Sequence, residues 1–308
     1  MDAAFNQLIA GAGCFSGAEI AGWTLDPMVL APLLIGGLIY GLGVVNLWRR
    51  AGYGRGASPG QVASFAGGWL LMGVALVTPV HEWSMELFWV HMAEHELIMA
   101  AAAPLLVLAR PLGPMLWAFP AGARRRVAQV AKLVGYFLGW DLLSRPLVAT
   151  LVHGAVIWAW HVPFLFEAAL VSEPLHWLQH LSFLITALFF WWAMFEFRTP
   201  KGAAVADLFL TALHTGGLGV LITLAPRPLY PLQSLLSRHF GLDPLADQQL
   251  AGLIMWVPAG TVYVAAGLAL AWQWIGRSSR MDRPFVRHEP SVEGGGQVKG
   301  AGLPAKQW

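Results

Sequence analysis

Seven apolar stretches dominate this sequence, each about as long as a bilayer is thick. A spanning helix needs about 20 mainly apolar residues, and 57% of the 308 residues are hydrophobic while 12% are charged. Backbone polar groups in lipid must be satisfied within the segment, so such stretches predict helices. We therefore predict an all-α, polytopic membrane protein with seven transmembrane helices. The stretches are residues 28–48, 62–80, 86–109, 147–166, 176–196, 206–225 and 250–275.

The distribution of Lys and Arg predicts how these helices are oriented. With the N-terminus outside, only Arg227 and Arg238 of the 19 Lys and Arg residues face the outside. Because cytoplasmic loops carry the excess of positive charge, we expect the N-terminus outside and the C-terminus in the cytoplasm. The basic residues are divided among separate loops, which indicates a lipid-embedded protein and no nucleic-acid partner.

The chain is expected to form one membrane domain with two flanking segments. Residues 1–25 are predicted to be a short outer extension, and residues 26–277 the seven-helix domain. Residues 278–308 are rich in Gly, Pro and charge, which is typical of a disordered tail, here on the cytoplasmic side. Within the long loop 110–146, an interfacial helix is expected near 127–139.

Histidines gather at the outer ends of several predicted spans. Two pairs are spaced four apart, in WVHMAEHELIM and LHWLQHLSF, which puts both rings of each pair on one helix face, about 6 Å apart along the axis. Ionisable groups are costly in a bilayer and therefore indicate function. We predict that six histidines converge near the outer leaflet as metal ligands: His91, His95, His176, His180, His161 and His81.

Copper is the metal that this composition favours. Imidazole suits copper, zinc, iron and nickel, and the thioethers of Met85, Met92 and Met99 at similar depth add a preference for cuprous copper. A metal-bound histidine usually donates its second ring nitrogen to a carboxylate or carbonyl. Glu94 and Glu96 are candidates for that supporting role.

Other interpretations of the same histidines stay open. They could be axial ligands of a b-type haem, or the chain could be a metal-free scaffold. His91, Glu94 and His95 also spell H-x-x-E-H, a zinc-protease motif that would need a further ligand. His153 and His214, predicted to lie deeper, could be hydrogen-bonding residues between helices or extend a polar path inward. A retinal pigment is excluded, since the seventh stretch has no lysine for a Schiff base.

Several blocks of the sequence together resemble a known family. These are TPVHEWS, FWVHMAEHELIMAAAAPLLVLARP, IWAWHVPFLFEAAL, LHWLQHLSFLITALFFWW and DQQLAGLIMWVPAG. Their order and spacing, over roughly residues 62–275, are similar to the CtaG-type seven-helix assembly factors of bacterial cytochrome c oxidase. The resemblance implies a non-enzymatic protein of the bacterial inner membrane that helps a haem–copper oxidase to mature through copper delivery or insertion.

The resemblance also implies partners and site residues. The partners would be cytochrome c oxidase subunits and a periplasmic copper chaperone. The block from Asp247 to Gln249, leading into Gly252, is shared with the family. Asp247 is expected at the outer mouth of the seventh helix, where it could stabilise the N-terminus of that helix or face the histidines and support them. The characteristic histidines of the family map onto His91, His95, His161, His176 and His180.

Overall fold

The protein is a bundle of long helices. The computed structural model describes residues 23–137, 139–196 and 199–281. In this part of the chain, six helices are long and apolar enough to cross a membrane, and a bent pair of helices would make a seventh span. The prediction of an all-α, polytopic membrane protein is therefore confirmed.

In chain order, the described α-helices are α1 (Pro27–Ala51), α2 (Pro59–Val77), α3 (Pro79–Glu86), α4 (Phe88–Glu96), α5 (Ala103–Ala109), α6 (Leu112–Leu116), α7 (Ala121–Phe137), α8 (Trp140–Leu143), α9 (Pro146–Trp160), α10 (Pro163–Val171), α11 (Glu173–Phe195), α12 (Lys201–Thr223), α13 (Pro231–His239) and α14 (Pro244–Met281). A π-helical turn, Leu97–Ala102, joins α4 to α5 into one span.

Prolines and side-chain caps decide where many helices begin. Proline is well suited to the first turn because its missing N–H would have no partner there. Pro59 follows Ser58, which forms a reciprocal capping box with Gln61. Caps of this kind explain why some spans start earlier than hydropathy predicts: at Pro59 instead of residue 62, and at Pro244 instead of residue 250.

The fourth predicted span, 147–166, is not one straight helix. α9 ends at Trp160, and α10 begins at Pro163 with a bend of 72° between them. Pro163 lacks the N–H needed to continue the helix and disfavours helical geometry at Val162. The result is an elbow that carries His161 at its corner.

The region between the second and third spans also contains an unpredicted break. α2 ends at Val77, and Thr78 caps the separate short helix α3 by accepting a hydrogen bond from the N–H of Val80. Leu87 then adopts an extended conformation before α4 begins. His81 therefore lies on a helix of its own between two spans.

The third span changes its helical type at mid-length. In the π-helical turn Leu97–Ala102, the carbonyl of Met99 accepts a hydrogen bond of 2.9 Å from the indole of Trp191 on α11. π-turns occur frequently at functional sites. This turn begins two residues after His95, so it fixes the register of the part of the span that follows the histidines.

Basic residues and the short helix α3 lie at opposite ends of the bundle. The N–H of Thr24, just before α1, donates to the carbonyl of Val77 at 2.9 Å, which places the start of α1 beside α3. At the far end of α1, the guanidinium of Arg50 lies 5.8 Å from the Trp117 ring, and that of Arg124 lies 4.1 Å from it. The basic residues Arg50 and Arg124 thus lie at the end of the bundle opposite to His81.

A helix, α7, is present where the interfacial helix was expected. It is longer than the predicted segment near 127–139 and exposes apolar Val130 and Leu133 together with Arg125 and Lys132. Such a composition is typical of helices that lie at a membrane surface.

The predicted flanking segments fall mostly outside the described residues. Of the outer extension 1–25, only residues from 23 onward are described, and the predicted tail is described only as far as residue 281. The described part of the predicted tail is helical, since α14 continues to Met281, beyond the predicted domain boundary at residue 277.

The last two spans, α12 and α14, touch backbone to backbone. A Cβ atom at Gly252 would lie 2.6 Å from the carbonyl oxygen of Gly219, and one at Gly219 would lie 2.7 Å from the carbonyl oxygen of Gly252. Small residues let membrane helices approach this closely. The contact holds α14 in a defined position, and with it Asp247 near its start.

We predict that Gly252→Ala destabilises the bundle by about 1–3 kcal/mol, because the added methyl group must push two backbones apart. Gly260→Ala on the same helix is the control, since a Cβ there meets no described atom within 4 Å. The midpoint of thermal unfolding in detergent, followed by tryptophan fluorescence, measures the difference. Equal midpoints for the two variants would contradict the close contact.

Candidate metal centre

Five of the predicted histidines form a continuous group of neighbouring rings. The ring centroids of His91 and His95 on α4 are 4.3 Å apart, and those of His176 and His180 on α11 are 4.4 Å apart. Across the two helices, His91 lies 5.7 Å from His176, and His95 lies 5.2 Å from His180. From α3, His81 approaches His176 to 5.5 Å and His180 to 5.9 Å.

His161, at the elbow between α9 and α10, lies at the edge of this group. Its Nε2 atom is 3.4 Å from the sulfur of Met92. Its ring centroid also lies 6.5 Å from that of Phe183, which in turn lies 4.7 Å from the ring of His95. The structure thus brings all six predicted histidines together, and we call them, with Glu94, the histidine cluster.

The histidine cluster is closed off from the surface. Its side chains range from fully buried, as for His91 and Glu94, to 8% exposed for His81. Burying polar and charged groups is unfavourable unless they are paired or hydrogen-bonded. The partners of each group therefore indicate what the cluster is built to hold.

Glu94 lies at the centre of the cluster. Its Oε1 atom accepts a hydrogen bond of 2.7 Å from Nδ1 of His81, and its Oε2 atom is 3.8 Å from Nε2 of His180. One ligand atom from each of these three side chains lies within 4.8 Å of the others, a spacing at which they could hold a metal ion. The bond to His81 has the geometry of a carboxylate that supports a metal-bound histidine, and the second oxygen could also bind an ion directly.

The same carboxylate determines the charge of His81. Burial works to lower the pKa of His81, but the attraction of Glu94 and the hydrogen bond to it outweigh burial, and the pKa is raised. In the neutral ring, the hydrogen bond to Glu94 keeps the proton on Nδ1, so that Nε2 carries the lone pair that can bind a ligand.

Backbone carbonyls fix the protons on two further rings. Nδ1 of His91 is 3.1 Å from the carbonyl oxygen of Ser84, and Nδ1 of His161 is 2.6 Å from that of Ile157. A carbonyl oxygen can only accept, so each neutral ring carries its proton on Nδ1 and a lone pair on Nε2. Neutral imidazole is the form that binds metal ions.

Several other polar atoms of the cluster find no hydrogen-bond partner among the described residues. They are Nε2 of His91, both ring nitrogens of His95 and of His180, and Oε2 of Glu94. Each buried polar atom without a partner costs about 1–3 kcal/mol, so a group of them in a native fold requires an explanation. A bound cation that accepts their lone pairs supplies one.

Asp247 stabilises the helix that carries the histidines. Its Oδ2 and Oδ1 atoms accept hydrogen bonds from the backbone N–H groups of Phe88 and Trp89, at 2.9 and 3.0 Å, and the hydroxyl of Ser237 donates to the same carboxylate. Leu87, the residue before α4, has no side-chain acceptor for these N–H groups. Asp247 was expected to stabilise the N-terminus of its own helix, but its carboxylate instead accepts from the first N–H groups of α4.

α13 and the residues just before it cover the cluster. The hydroxyl of Tyr230 donates to the carbonyl of His161 at 2.9 Å, and the side-chain amide of Gln233 donates to the carbonyl of Glu86 at 2.8 Å. In return, a carboxylate oxygen of Glu167 on α10 accepts from the N–H of Leu232 at 2.6 Å. The cover is therefore tied to the elbow and to the start of α4.

Tyr230 and Gln233 lie between the sixth and seventh predicted spans and were not among the predicted site residues. A signal was available: in PLQSLLSRH, apolar residues recur at Leu232, Leu235 and Leu236 after a proline, which is helical spacing. No signal indicated Ser84, because its carbonyl is a backbone atom that any residue would supply.

The remaining histidines lie apart from the cluster. Nδ1 of His153 is 3.0 Å from the hydroxyl of Thr186 on α11, as expected for a hydrogen bond between helices. The ring of His214 lies against Gly154, where a Cβ atom would approach it to 3.1 Å. His239 is exposed on α13, and residue 288 lies beyond the described residues.

Fold and site together define a polytopic helical membrane protein with a buried histidine–carboxylate cluster at one end of its bundle. A family model described as cytochrome c oxidase caa3 assembly factor (Caa3_CtaG) matches residues 38–277. The chain belongs to this family. The matched range contains every residue of the histidine cluster as well as Asp247.

Similarity to curated proteins is more distant. An uncharacterized protein of Mycobacterium bovis and another of Mycobacterium tuberculosis are each 23% identical to this chain over 278 residues. Each alignment covers 87% of this chain but 42% of the relative, so the chain spans less than half the length of these relatives. No solved structure matches the chain.

We predict that Asp247→Ala lowers the free energy of unfolding by about 1–3 kcal/mol, because the backbone N–H groups of Phe88 and Trp89 at the start of α4 lose their acceptor. The control is Asp243→Asn, since Asp243 is exposed and caps only its own helix through the N–H of Ala246, a role that asparagine also performs. Chemical unfolding in detergent measures both. If Asp247→Ala is as stable as Asp243→Asn, Asp247 does not hold α4.

Proposed function

We propose that this chain holds copper in the histidine cluster during the assembly of cytochrome c oxidase. Membership of the family supports the assembly role, which is non-catalytic. The observation that carries the copper part is the concentration of buried ring nitrogens without partners around Glu94. Imidazole is a favourable ligand for copper.

The cluster contains more ligands than one ion needs, which suits transfer better than permanent storage. Copper bound by His81, Glu94 and His180 lies next to the free nitrogens of His91 and His95, so it could exchange ligands stepwise without entering water. An incoming ion would be supplied by a periplasmic copper chaperone. The receiving partner would be a subunit of the oxidase.

Geometry favours an ion over haem or a protease site. Two axial histidines hold a haem only if a flat macrocycle fits between them, yet Phe166 lies 5.0 Å from the ring of His91 and Phe183 lies 4.7 Å from that of His95. In the H-x-x-E-H motif, Glu94 is fully buried and bonded to His81, so a protein substrate does not reach it in this structure.

The cluster is proposed to face the outside of the bacterial inner membrane. Basic residues such as Arg50 and Arg124 lie at the other end of the bundle, and positive charge concentrates on the cytoplasmic side. The histidine end would then open towards the compartment in which a periplasmic copper chaperone works.

Reporter fusions test this orientation. Green fluorescent protein attached after residue 308 should fluoresce, because it folds in the cytoplasm, and alkaline phosphatase at the same position should be inactive. The opposite pair of results would place the histidine cluster on the cytoplasmic side and contradict the proposed route of copper.

We predict that His180→Ala weakens copper binding by at least about tenfold, the lower end of losses seen when groups around a metal site are removed. His239→Ala should bind as the wild type does, since His239 is an exposed histidine on α13. Competition with a chromophoric chelator of Cu(II) measures the affinity of detergent-purified protein in the absence of reductant.

Thermal unfolding of each variant distinguishes lost ligands from lost structure in this experiment. Equal copper affinities for wild type and a folded His180→Ala would contradict the proposal. An intense Soret absorption band in the wild type that disappears in His180→Ala would favour the b-type haem protein instead.

A further inference from the structure

The sulfur of Met92 and a ring nitrogen of His161 lie in contact inside the protein, and both atoms can donate an electron pair to a metal ion. The sulfur of Met92 lies 3.4 Å from Nε2 of His161, and the two residues are 1% and 6% exposed. They come from separate parts of the chain, α4 and the α9–α10 elbow. Their approach therefore depends on the bend at Pro163.

The proton on His161 is not between these two atoms. Nδ1 is 2.6 Å from the carbonyl oxygen of Ile157 and must donate to it, so a neutral ring has a lone pair on Nε2. A doubly protonated ring would bury a charge, which is costly without a paired carboxylate, and the described contacts of this ring are a carbonyl, a sulfur and the Phe183 ring. Two lone pairs thus face each other.

Tyr230, just before α13, holds the elbow in this arrangement. The carbonyl of His161 accepts the hydrogen bond from Tyr230, whose ring packs 4.7 Å from that of Phe166 on α10. The N–H of His161 donates to the carbonyls of Ile157 and Trp158, so both backbone polar groups of this residue are held. Such fixed orientation is what a preorganised ligand requires.

These donors differ in kind from those around Glu94. His81, Glu94 and His180 offer nitrogen and carboxylate oxygen, which suit divalent ions. A thioether beside an imidazole instead selects cuprous copper.

We propose that Met92 and His161 form a separate site for Cu(I), distinct from the group of His81, Glu94 and His180. This inference rests on the proposed function, because it assigns the cuprous form of the bound copper to the side of the histidine cluster where His161 lies. If the bonds are as long as those at zinc sites, about 2.0 Å to nitrogen and about 2.3 Å to sulfur, an ion joining two atoms 3.4 Å apart would have an angle of roughly 105° between them. That angle leaves room for a third ligand, and His91 and His95 have free nitrogens nearby.

Copper K-edge X-ray absorption of protein loaded with Cu(I) without oxygen tests the site. The expected result is a sulfur neighbour in the wild type that disappears in Met92→Leu, with Cu(I) affinity reduced by at least about tenfold. Zn(II) affinity should be unchanged in Met92→Leu, because the ligands around Glu94 remain. Leucine conserves the volume of methionine, so the core should tolerate the exchange.

Met99→Leu is the matched control, since Met99 belongs to the same span and is 3% exposed. It should keep both the sulfur neighbour and the Cu(I) affinity. Copper bound by nitrogen and oxygen alone in the wild type, or a sulfur neighbour that persists in Met92→Leu, would overturn the Cu(I) site while leaving copper binding itself intact. Failure of the wild type to bind Cu(I) or Zn(II) would overturn the proposed function as well.

Discussion

The negative charge of a carboxylate buried in the bundle needs hydrogen bonds or an opposite charge, and histidines supply these to Glu94. It is fully buried, bonded to His81 through one oxygen and 3.8 Å from His180 through the other. In a low-dielectric interior an isolated charge would be strongly unfavourable. The helices α3, α4 and α11 therefore meet at one carboxylate, and the other rings of the cluster assemble around that contact.

The rest of the bundle holds this meeting point in place. Asp247 fixes the start of α4, and the glycine contact between α12 and α14 fixes the helix that carries Asp247. The π-turn after α4 is locked by the indole of Trp191. These supports lie outside the cluster, as expected where ligands must be held rigidly by a second layer of contacts.

Hydropathy and spacing predicted much of this structure. The positions of the spans could be predicted from hydropathy, because in lipid each span must form its backbone hydrogen bonds within its own helix. The pairing of His91 with His95 follows from helical geometry alone. Pro163 could have predicted the elbow at His161. By contrast, the bond between Asp247 and Phe88 joins residues far apart in sequence, and the carbonyl partner of His91 is backbone. Both depend on which helices are neighbours, which local patterns do not encode.

The proposed copper site in the histidine cluster would give the family's assembly role a physical basis. A protein that helps to assemble an oxidase can pass on copper only if it shields the ion from water and still releases it. A buried set of ligands with more donors than one ion needs, covered by α13, meets both requirements. The most direct test of copper at this site is an anomalous difference map at the copper edge from crystals of copper-loaded protein. We predict a peak between His81, Glu94 and His180, or beside Met92 and His161 when the copper is cuprous. A map from fully folded protein with no peak in the histidine cluster would contradict the proposal.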